Sequence, residues 1–196
     1  MRRHLLTLAI LLLLAGAAHA QWSTPIELYA GTGTGWSQAP NAFEENFDGD
    51  VNVFLGAGTR SLPFMTAMLK LELHRFRPGN ANVDGGGIQA QLIGLGGKAD
   101  LELKGSPVKP FIMLGGGLSF LRQGGWSSAD PGFAVGGQTD LFFDYGAGVE
   151  AMLTERFGLW ASGRVVHLMV SPVNSRVGSA IRFNSLTIGL KWMEEL

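Results

Sequence analysis

The chain has 196 residues, no cysteine and a formal net charge of −1 at neutral pH. This length suggests a single domain, and the near-neutral charge argues against a nucleic-acid-binding protein, which would carry a basic surface. Without cysteine, the chain has no disulfide, no thiolate metal site and no thiol nucleophile. Glycine is unusually frequent: it accounts for 29 of the 196 residues, about 15%, whereas its average usage is about 7%.

Residues 1–20 have the pattern of a secretory signal peptide. A short positive start is followed by an apolar run at 5–18 and by a small-x-small cleavage sequence that ends at Ala20. The apolar run is too short for a membrane-spanning helix, which needs about 20 residues. We therefore predict export, cleavage between Ala20 and Gln21, and a mature domain of residues 21–196.

After the signal peptide, apolar residues recur with a period of two, which is typical of β-strands. In the stretch 141–153, Leu141 and Tyr145 share one face, whereas Asp144 and Glu150 lie on the other. A helix would scatter these carboxylates among apolar side chains, and each of its glycines would cost about 1 kcal/mol relative to alanine. The pattern predicts eight strands, in chain order Ile26–Gly35, Val51–Arg60, Met65–His74, Gly87–Leu103, Phe111–Phe120, Leu141–Leu153, Phe157–Val165 and Ser185–Trp192.

The fourth of these segments changes phase along its length. Ile88 and Leu92 fall on even positions, whereas Leu101 and Leu103 fall on odd ones. A β-bulge inserts one extra residue into a strand and would absorb this slip. The sequence therefore predicts a bulge within 94–97.

The intervals between the segments alternate between long and short. The long ones are roughly Trp36–Asp50, Arg75–Gly86, Arg122–Gly137 and Ser171–Ala180, and the short ones are roughly Ser61–Pro63, Lys104–Val108 and Thr154–Arg156. This alternation is typical of bacterial outer-membrane barrels. The predicted fold class is all-β: an eight-stranded antiparallel up-and-down transmembrane β-barrel, with its apolar face toward outer-membrane lipid.

An alternative interpretation places the apolar face inward, in a soluble periplasmic barrel that binds an apolar ligand. The outer surface would then be the polar face, which is rich in glycine and poor in lysine. Such a surface would solubilise the protein poorly, whereas glycine suits the narrow interior of a small barrel. The membrane interpretation is therefore favoured.

Three segments, at 109–118, 145–157 and 184–192, carry a family resemblance. They resemble strand five, the following hairpin and the closing strand of the small eight-stranded bacterial outer-membrane β-barrel family, which includes porin-like and surface-antigen-like proteins. The resemblance implies localisation in the cell outer membrane and assembly by the barrel-insertion machinery, and it transfers no catalytic residue. That machinery reads an aromatic residue at the end of the family's last strand, whereas here Trp192 is followed by Met193-Glu194-Glu195-Leu196.

The polar face of the predicted strands carries charges of both signs. A narrow lumen would enclose them together, and an unpaired charge there would be prohibitive. We therefore predict a lumen charge network, which serves either as a selective pore or, as a narrow eight-stranded bore favours, as a structural plug. Its members are Arg60, Lys70, Glu72, Asp144, Glu150, Arg164 and Lys191.

His167 is the weak candidate for a catalytic residue. It shares the outward face of its strand with Phe157 and Leu159, where a lipid-A-modifying outer-membrane esterase could use a histidine to activate a serine. In the lipid A deacylase family, a serine stands two residues after the histidine, but Met169 occupies that position here, and Ser171 has no matched role. An interfacial histidine is the favoured interpretation.

An acidic stretch, Asp48-Gly49-Asp50 with Glu44 and Glu45 nearby, offers oxygen ligands for a divalent cation. No spaced ligand set follows it, so a solvated acidic loop is favoured, and we predict neither a metal nor a cofactor.

The long loops are the predicted contact surface for an extracellular ligand, because loops carry variable function on a rigid scaffold. Their large aromatic residues are Trp36, Phe43, Phe47 and Trp126. The sequence therefore predicts a structural or surface-interaction protein without catalysis.

Overall fold

The computed structural model describes residues 25–39, 47–78, 87–101, 103, 106–123, 138–169 and 181–194. The predicted signal peptide and its cleavage site at Ala20 and Gln21 lie outside these residues. The described residues form eight strands: β1 (Ile26–Ala39), β2 (Phe47–Leu62), β3 (Met65–Pro78), β4 (Ile88–Asp100), β5 (Val108–Gln123), β6 (Gln138–Met152), β7 (Phe157–Met169) and β8 (Ile181–Glu194). No helix among the described residues is long and apolar enough to cross a membrane.

The strands close into an up-and-down barrel. Each strand pairs antiparallel with the next, and β1 closes the sheet against β8. The predicted eight-stranded antiparallel barrel is thus confirmed. We call the end with the intervals 63–64, 101–107 and 153–156 the turn end, and the end with the intervals 40–46, 79–87, 124–137 and 170–180 the loop end.

Strands β1 and β2 extend further toward the loop end than the sequence predicted. Trp36, Phe47 and the acidic stretch 48–50 therefore lie in strands and not in a loop. The register between β2 and β3 shifts between Asp48 and Asp50, and Gly49 adopts a φ of 41° there. A glycine permits this conformation, which is the local geometry of a bulge.

The bulge predicted within β4 is wrong. β4 pairs without a register shift with β3, from Ala99 to Ile88, and with β5 over the same length. Even-numbered residues face inward along the whole strand, including the buried Ile88 and Leu92 near the loop end and Lys98 near the turn end. The apolar side chains change parity because the interior of the barrel is itself apolar at the loop end.

The predicted faces of the other strands agree with the burial of their side chains. The apolar parity points outward, and its exposed members include Leu55, Leu71, Ile112, Leu114, Val149 and Ile188. Near the turn end, the rings of Phe157 and Trp192 pack edge to face on this outer surface, with their centroids 4.6 Å apart. The outer surface is therefore broadly apolar, and the polar parity fills the barrel.

Candidate functional site: the charged barrel interior

The interior of the barrel is divided into four layers, which occur in the same order along the strands. From the loop end to the turn end they are the loop-end apolar cluster, the central charge network, the aromatic cluster and the turn-end charge ring. The loop-end apolar cluster consists of Phe76, Ile88, Ala90, Leu92, Leu121, Phe142, Val166, Leu168, Ile181 and Phe183. The aromatic cluster consists of Tyr29, Phe54, Met68, Phe111, Met113 and Trp160.

The central charge network is organised around Arg164 on β7. Its guanidinium donates two hydrogen bonds to the carboxylate of Glu72, from Nη1 at 2.6 Å and from Nη2 at 2.8 Å. Nη1 also reaches Asp144 at 3.3 Å. Lys70 donates to Asp144 and lies 3.8 Å from Glu72. Two cations and two carboxylates thus form a closed cycle across strands β3, β6 and β7.

His74 extends this network toward β2. Its Nδ1 bonds Asp50, and its Nε2 lies 3.1 Å from Glu72. An ionised carboxylate only accepts hydrogen bonds, so a ring that bonds two of them donates from both nitrogens and carries a positive charge. Asp50 also accepts the backbone N–H of Arg75 at 3.1 Å, which fixes the carboxylate at the end of the network.

The turn-end charge ring is a closed cycle of alternating charge. Its six ion pairs, in order around the ring, are Glu27–Arg60 at 3.0 Å, Arg60–Asp100 at 3.4 Å, Asp100–Lys98 at 2.7 Å, Lys98–Glu150 at 2.7 Å, Glu150–Lys191 at 2.9 Å and Lys191–Glu27 at 3.1 Å. The hydroxyls of Tyr29 and Thr66 also donate to Glu27, at 2.5 Å and 3.0 Å. Strands β1, β2, β4, β6 and β8 are thereby joined across the bore.

The charged side chains in both layers are removed from solvent, with one partial exception. Lys70, Lys98 and Lys191 are each 1% exposed, whereas 25% of the Arg60 side chain is exposed at the turn end. Lys98 lies over the ring of Phe111 at 5.3 Å, and the Arg164 guanidinium lies over Phe54 at 5.1 Å. The aromatic cluster therefore contacts the cations of both charged layers.

Glycines provide the space for these large side chains. A Cβ at Gly115 would lie 2.6 Å from Nζ of Lys70 and 2.8 Å from Oδ1 of Asp144. A Cβ at Gly148 would lie 2.4 Å from the ring of Phe111. At these two positions, glycine therefore makes room for charged and aromatic side chains inside a narrow barrel.

The seven residues of the predicted lumen network all point inward. Lys70, Glu72, Asp144 and Arg164 lie in the central network, and Arg60, Glu150 and Lys191 lie in the turn-end ring. Sequence reasoning missed further members: Glu27, Asp50, His74, Lys98 and Asp100. If every even-numbered residue of β4 had been taken to face inward, Lys98 and Asp100 would have been predicted as members of the network.

The acidic stretch at 48–50 does not form the solvated loop expected from the sequence. Asp50 is buried inside the barrel, where it bonds His74, while Glu44 and Glu45 lie outside the described residues. Within the part of the chain that the structure describes, no group of three or more His, Asp or Glu side chains is arranged to hold a metal ion. Asp50 is therefore a member of the charge network.

His167 lies on the outer wall of β7, near the loop end. Its ring stacks on Phe143, with a centroid distance of 4.3 Å and an interplanar angle of 5°, and Tyr145 lies 5.8 Å away. Its Nε2 has no hydrogen-bond partner among the described residues, and Met169 stands two positions later. Arg182 stands opposite His167 on β8, and Ser171 lies outside the described residues. Among the described residues, His167 therefore has an aromatic and cationic setting on the outer wall.

The predicted aromatic contact residues are only partly described. Trp36 is 51% exposed on the outer wall of β1, and Phe47 begins β2. Phe43 and Trp126 lie outside the described residues.

Comparison with known proteins identifies the family. A family model described as "Outer membrane protein beta-barrel domain" matches residues 6–193. The chain belongs to this family. No match is found among curated protein sequences.

Several solved structures share the barrel fold. Neisserial surface protein A is 16% identical, with a TM-score of 0.60, and the match covers 85% of this chain and 96% of that one. OprG from Pseudomonas aeruginosa is 13% identical, with a TM-score of 0.56 and coverage of 90% and 98%. Ail, the attachment invasion locus protein of Yersinia pestis, is 11% identical, with a TM-score of 0.52 and coverage of 89% and 99%. At these identities the likeness shows the fold alone.

Membership of this family places the protein in the outer membrane. In outer-membrane barrels the short turns face the periplasm, the longer loops face the exterior, and the apolar outer face contacts lipid. The strands have 13–16 residues, more than the roughly 9–11 that cross a bilayer. The alternative of a soluble periplasmic barrel is therefore wrong.

Proposed function

We propose that this outer-membrane barrel is a closed, non-conducting scaffold with a structural or surface-interaction role and no catalytic activity. The observation that carries the proposal is the filling of the bore by four successive layers of side chains. Two of these layers are apolar, and two are cycles of ion pairs. The lumen charges therefore act as a plug that joins the strands.

An ion crossing this bore would meet two kinds of barrier. The apolar layers exclude hydrated ions, as hydrophobic constrictions do in channels. The charged layers would have to open, and breaking a buried ion pair by removing one partner costs about 3–5 kcal/mol. Since both barriers lie in series along the bore, the expected conductance of the native barrel is nil.

The proposed surface role belongs to the loop end, which faces the exterior in this family. Trp36 is a large exposed aromatic residue on the outer wall there, and the intervals 40–46 and 124–137 contain Phe43 and Trp126. We expect an extracellular ligand to contact this end of the barrel. We also expect the barrel-insertion machinery to assemble the chain and to engage β8, whose Trp192 faces outward at the turn end.

A lipid-A-modifying esterase is the weaker alternative. Such an enzyme needs a nucleophile within hydrogen-bond reach of its general base. The described neighbours of His167 are the rings of Phe143 and Tyr145, with Arg182 opposite it on β8, and the position two residues later is Met169. Because none of these described residues can serve as the nucleophile, we propose the non-catalytic role.

Conductance measurements test the closed bore. The mature chain is refolded and inserted into planar bilayers, with a 16-stranded porin as the positive control. Folding is verified by the different gel migration of boiled and unboiled samples. We expect no single-channel steps from the folded barrel, and steady steps of uniform size would contradict the proposal.

Cysteine labelling tests the orientation that the surface role requires. Because the chain has no native cysteine, only the introduced cysteine can react. Single cysteines at Ile112 and Val149, which face outward in the turn-end halves of β5 and β6, should react with a lipid-soluble maleimide and resist a membrane-impermeant one. Cysteines placed at Asn41 or Gly124 should react with the impermeant reagent on intact cells. Impermeant labelling of both sets would contradict the proposed orientation.

A further inference from the structure

A patch of arginines lies on the outer wall of the barrel at the loop end. Arg75 on β3, Gln89 on β4 and Arg122 on β5 stand directly opposite one another in the strand register and form one row. Arg77 lies two residues nearer the rim on the same face, and all four side chains are exposed. Among the side chains that the structure describes, no carboxylate pairs with Arg75, Arg77 or Arg122. We call these four residues the arginine patch.

Apart from Gln91, the wall below the arginine patch is apolar. From the middle of the barrel toward the loop end, successive cross-strand rows on β3, β4 and β5 are Leu71–Ile93–Leu118, then Leu73–Gln91–Phe120, then Arg75–Gln89–Arg122. Outward rows are two residues apart, so each step covers about 7 Å along a strand. The outer surface therefore changes from apolar to cationic over a short distance, as the boundary between acyl chains and headgroups does.

The spacing of the patch suits phosphate groups. Adjacent strands lie about 4.8 Å apart, so the Cα atoms of Arg75 and Arg122 are separated by about 10 Å, with the Gln89 amide between them. A groove of about 440 Å³ lies beside the row and is lined by Val51, Arg75, Phe76, Arg77 and Gly87. Arginine binds phosphate through two parallel N–H donors, which gives both affinity and orientation.

We propose that the arginine patch binds the phosphate groups of a phosphorylated glycolipid in the outer leaflet, whose acyl chains pack against the apolar rows below. The patch lies on the face of the strands that contacts lipid, so a ligand bound to it lies beside acyl chains. A soluble polyanion has no acyl chains to pack against the adjoining apolar rows. This binding site is independent of whether the bore conducts ions.

The turn end supplies a matched control for the patch. Arg156 is also exposed, but it pairs with Glu194 at 3.8 Å. It lies at the periplasmic end of the barrel, on the opposite side of the membrane from the outer leaflet. Substitution of Arg156 therefore removes the same type of side chain without affecting the proposed site.

The test uses the refolded mature chain in a neutral detergent, with lipid A that carries two phosphates as the probe. Native mass spectrometry counts bound lipid as the probe concentration rises, and gel migration before and after boiling verifies folding. We expect the double variant Arg75→Gln/Arg122→Gln to bind at least about tenfold more weakly than the wild type, and Arg156→Gln to bind like the wild type. Dephosphorylated lipid A should bind the wild type at least about tenfold more weakly than the probe.

Three results would overturn the proposal. The first is unchanged binding of the probe by the folded double variant. The second, which needs no variant, is equal binding of phosphorylated and dephosphorylated lipid A by the wild type. The third is displacement of the probe by millimolar inorganic phosphate, which would show a site for free phosphate and not for the lipid.

Discussion

Replacing Arg164 by methionine tests whether the ion pairs of the interior hold the barrel together. Methionine keeps an unbranched apolar side chain but removes the charge and all the donors. The change deletes the paired hydrogen bonds to Glu72 at 2.6 Å and 2.8 Å and the contact with Asp144 at 3.3 Å. It also removes the cation from the face of Phe54.

The expected loss of stability follows from the burial of the charges that remain. Glu72 would keep His74 at 3.1 Å and Lys70 at 3.8 Å, and the network would hold one carboxylate more than its cations can neutralise. Removing one partner of a buried pair typically costs about 3–5 kcal/mol of unfolding free energy. The matched control is Arg156→Met, since the Arg156 and Glu194 side chains are 66% and 42% exposed and such a pair contributes about 0–1 kcal/mol.

The assay is guanidinium unfolding of the refolded barrels in lipid vesicles, followed by tryptophan fluorescence and by gel migration. The variant with both Arg164→Met and Glu72→Gln removes the uncompensated carboxylate and should regain part of the loss, with a coupling of about 0.5–3 kcal/mol. If Arg164→Met and Arg156→Met differ by less than about 1 kcal/mol, the pairs in the central network do not have the strength that buried ion pairs have.

Three further predictions concern the faces of the barrel and its processing. Ile188→Arg on the outer wall of β8 should cost about 2–4 kcal/mol near the bilayer midplane, measured by the same unfolding assay, and no loss would mean that this face does not contact lipid. Gly148→Ala should cost about 1–3 kcal/mol, because its Cβ would lie 2.3 Å from the carbonyl oxygen of Ala161 and 2.4 Å from the Phe111 ring. Gly163→Ala, whose Cβ would meet nothing within 4 Å, should change the unfolding free energy by no more than about 0.5 kcal/mol, and equal effects of the two changes would refute the argument. The exported chain should begin at Gln21, which mass spectrometry of its N-terminal peptide checks, and a peptide that still contains residues before Gln21 would contradict the predicted cleavage.

The barrel could be predicted from the sequence because every strand must present apolar side chains to lipid on one of its faces. In β6, for example, Leu141, Phe143, Tyr145, Ala147 and Val149 recur with a period of two and face outward, whereas Asp144 and Glu150 lie on the inward face between them. The interior imposes no uniform demand. In β4 the inward face begins with Ile88 and ends with Asp100, so the alternation of polarity fails although the alternation of direction does not.

The partners within the interior could not be predicted for a related reason. A period of two shows that Lys98 or Glu27 can face inward, but it does not show which residue of a distant strand stands at the same height. The ion pair of Lys191 with Glu27 joins the last strand to the first and depends on closure of the barrel. Similarly, Asp50 reaches His74 because β2 extends beyond the predicted strand and carries a bulge at Gly49.

The two charged layers must be neutral separately, because the aromatic cluster lies between them. Among the described side chains, the turn-end ring balances Glu27, Asp100 and Glu150 against Arg60, Lys98 and Lys191. The central network holds the carboxyl groups of Asp50, Glu72 and Asp144 and the cations Lys70 and Arg164, so with all three carboxyls ionised it is neutral when His74 is charged. A surplus charge in either layer would be buried without a partner in contact with it, and its desolvation would be costly. Through its hydrogen bonds to two carboxylates, His74 thus supplies the third positive charge of the central network.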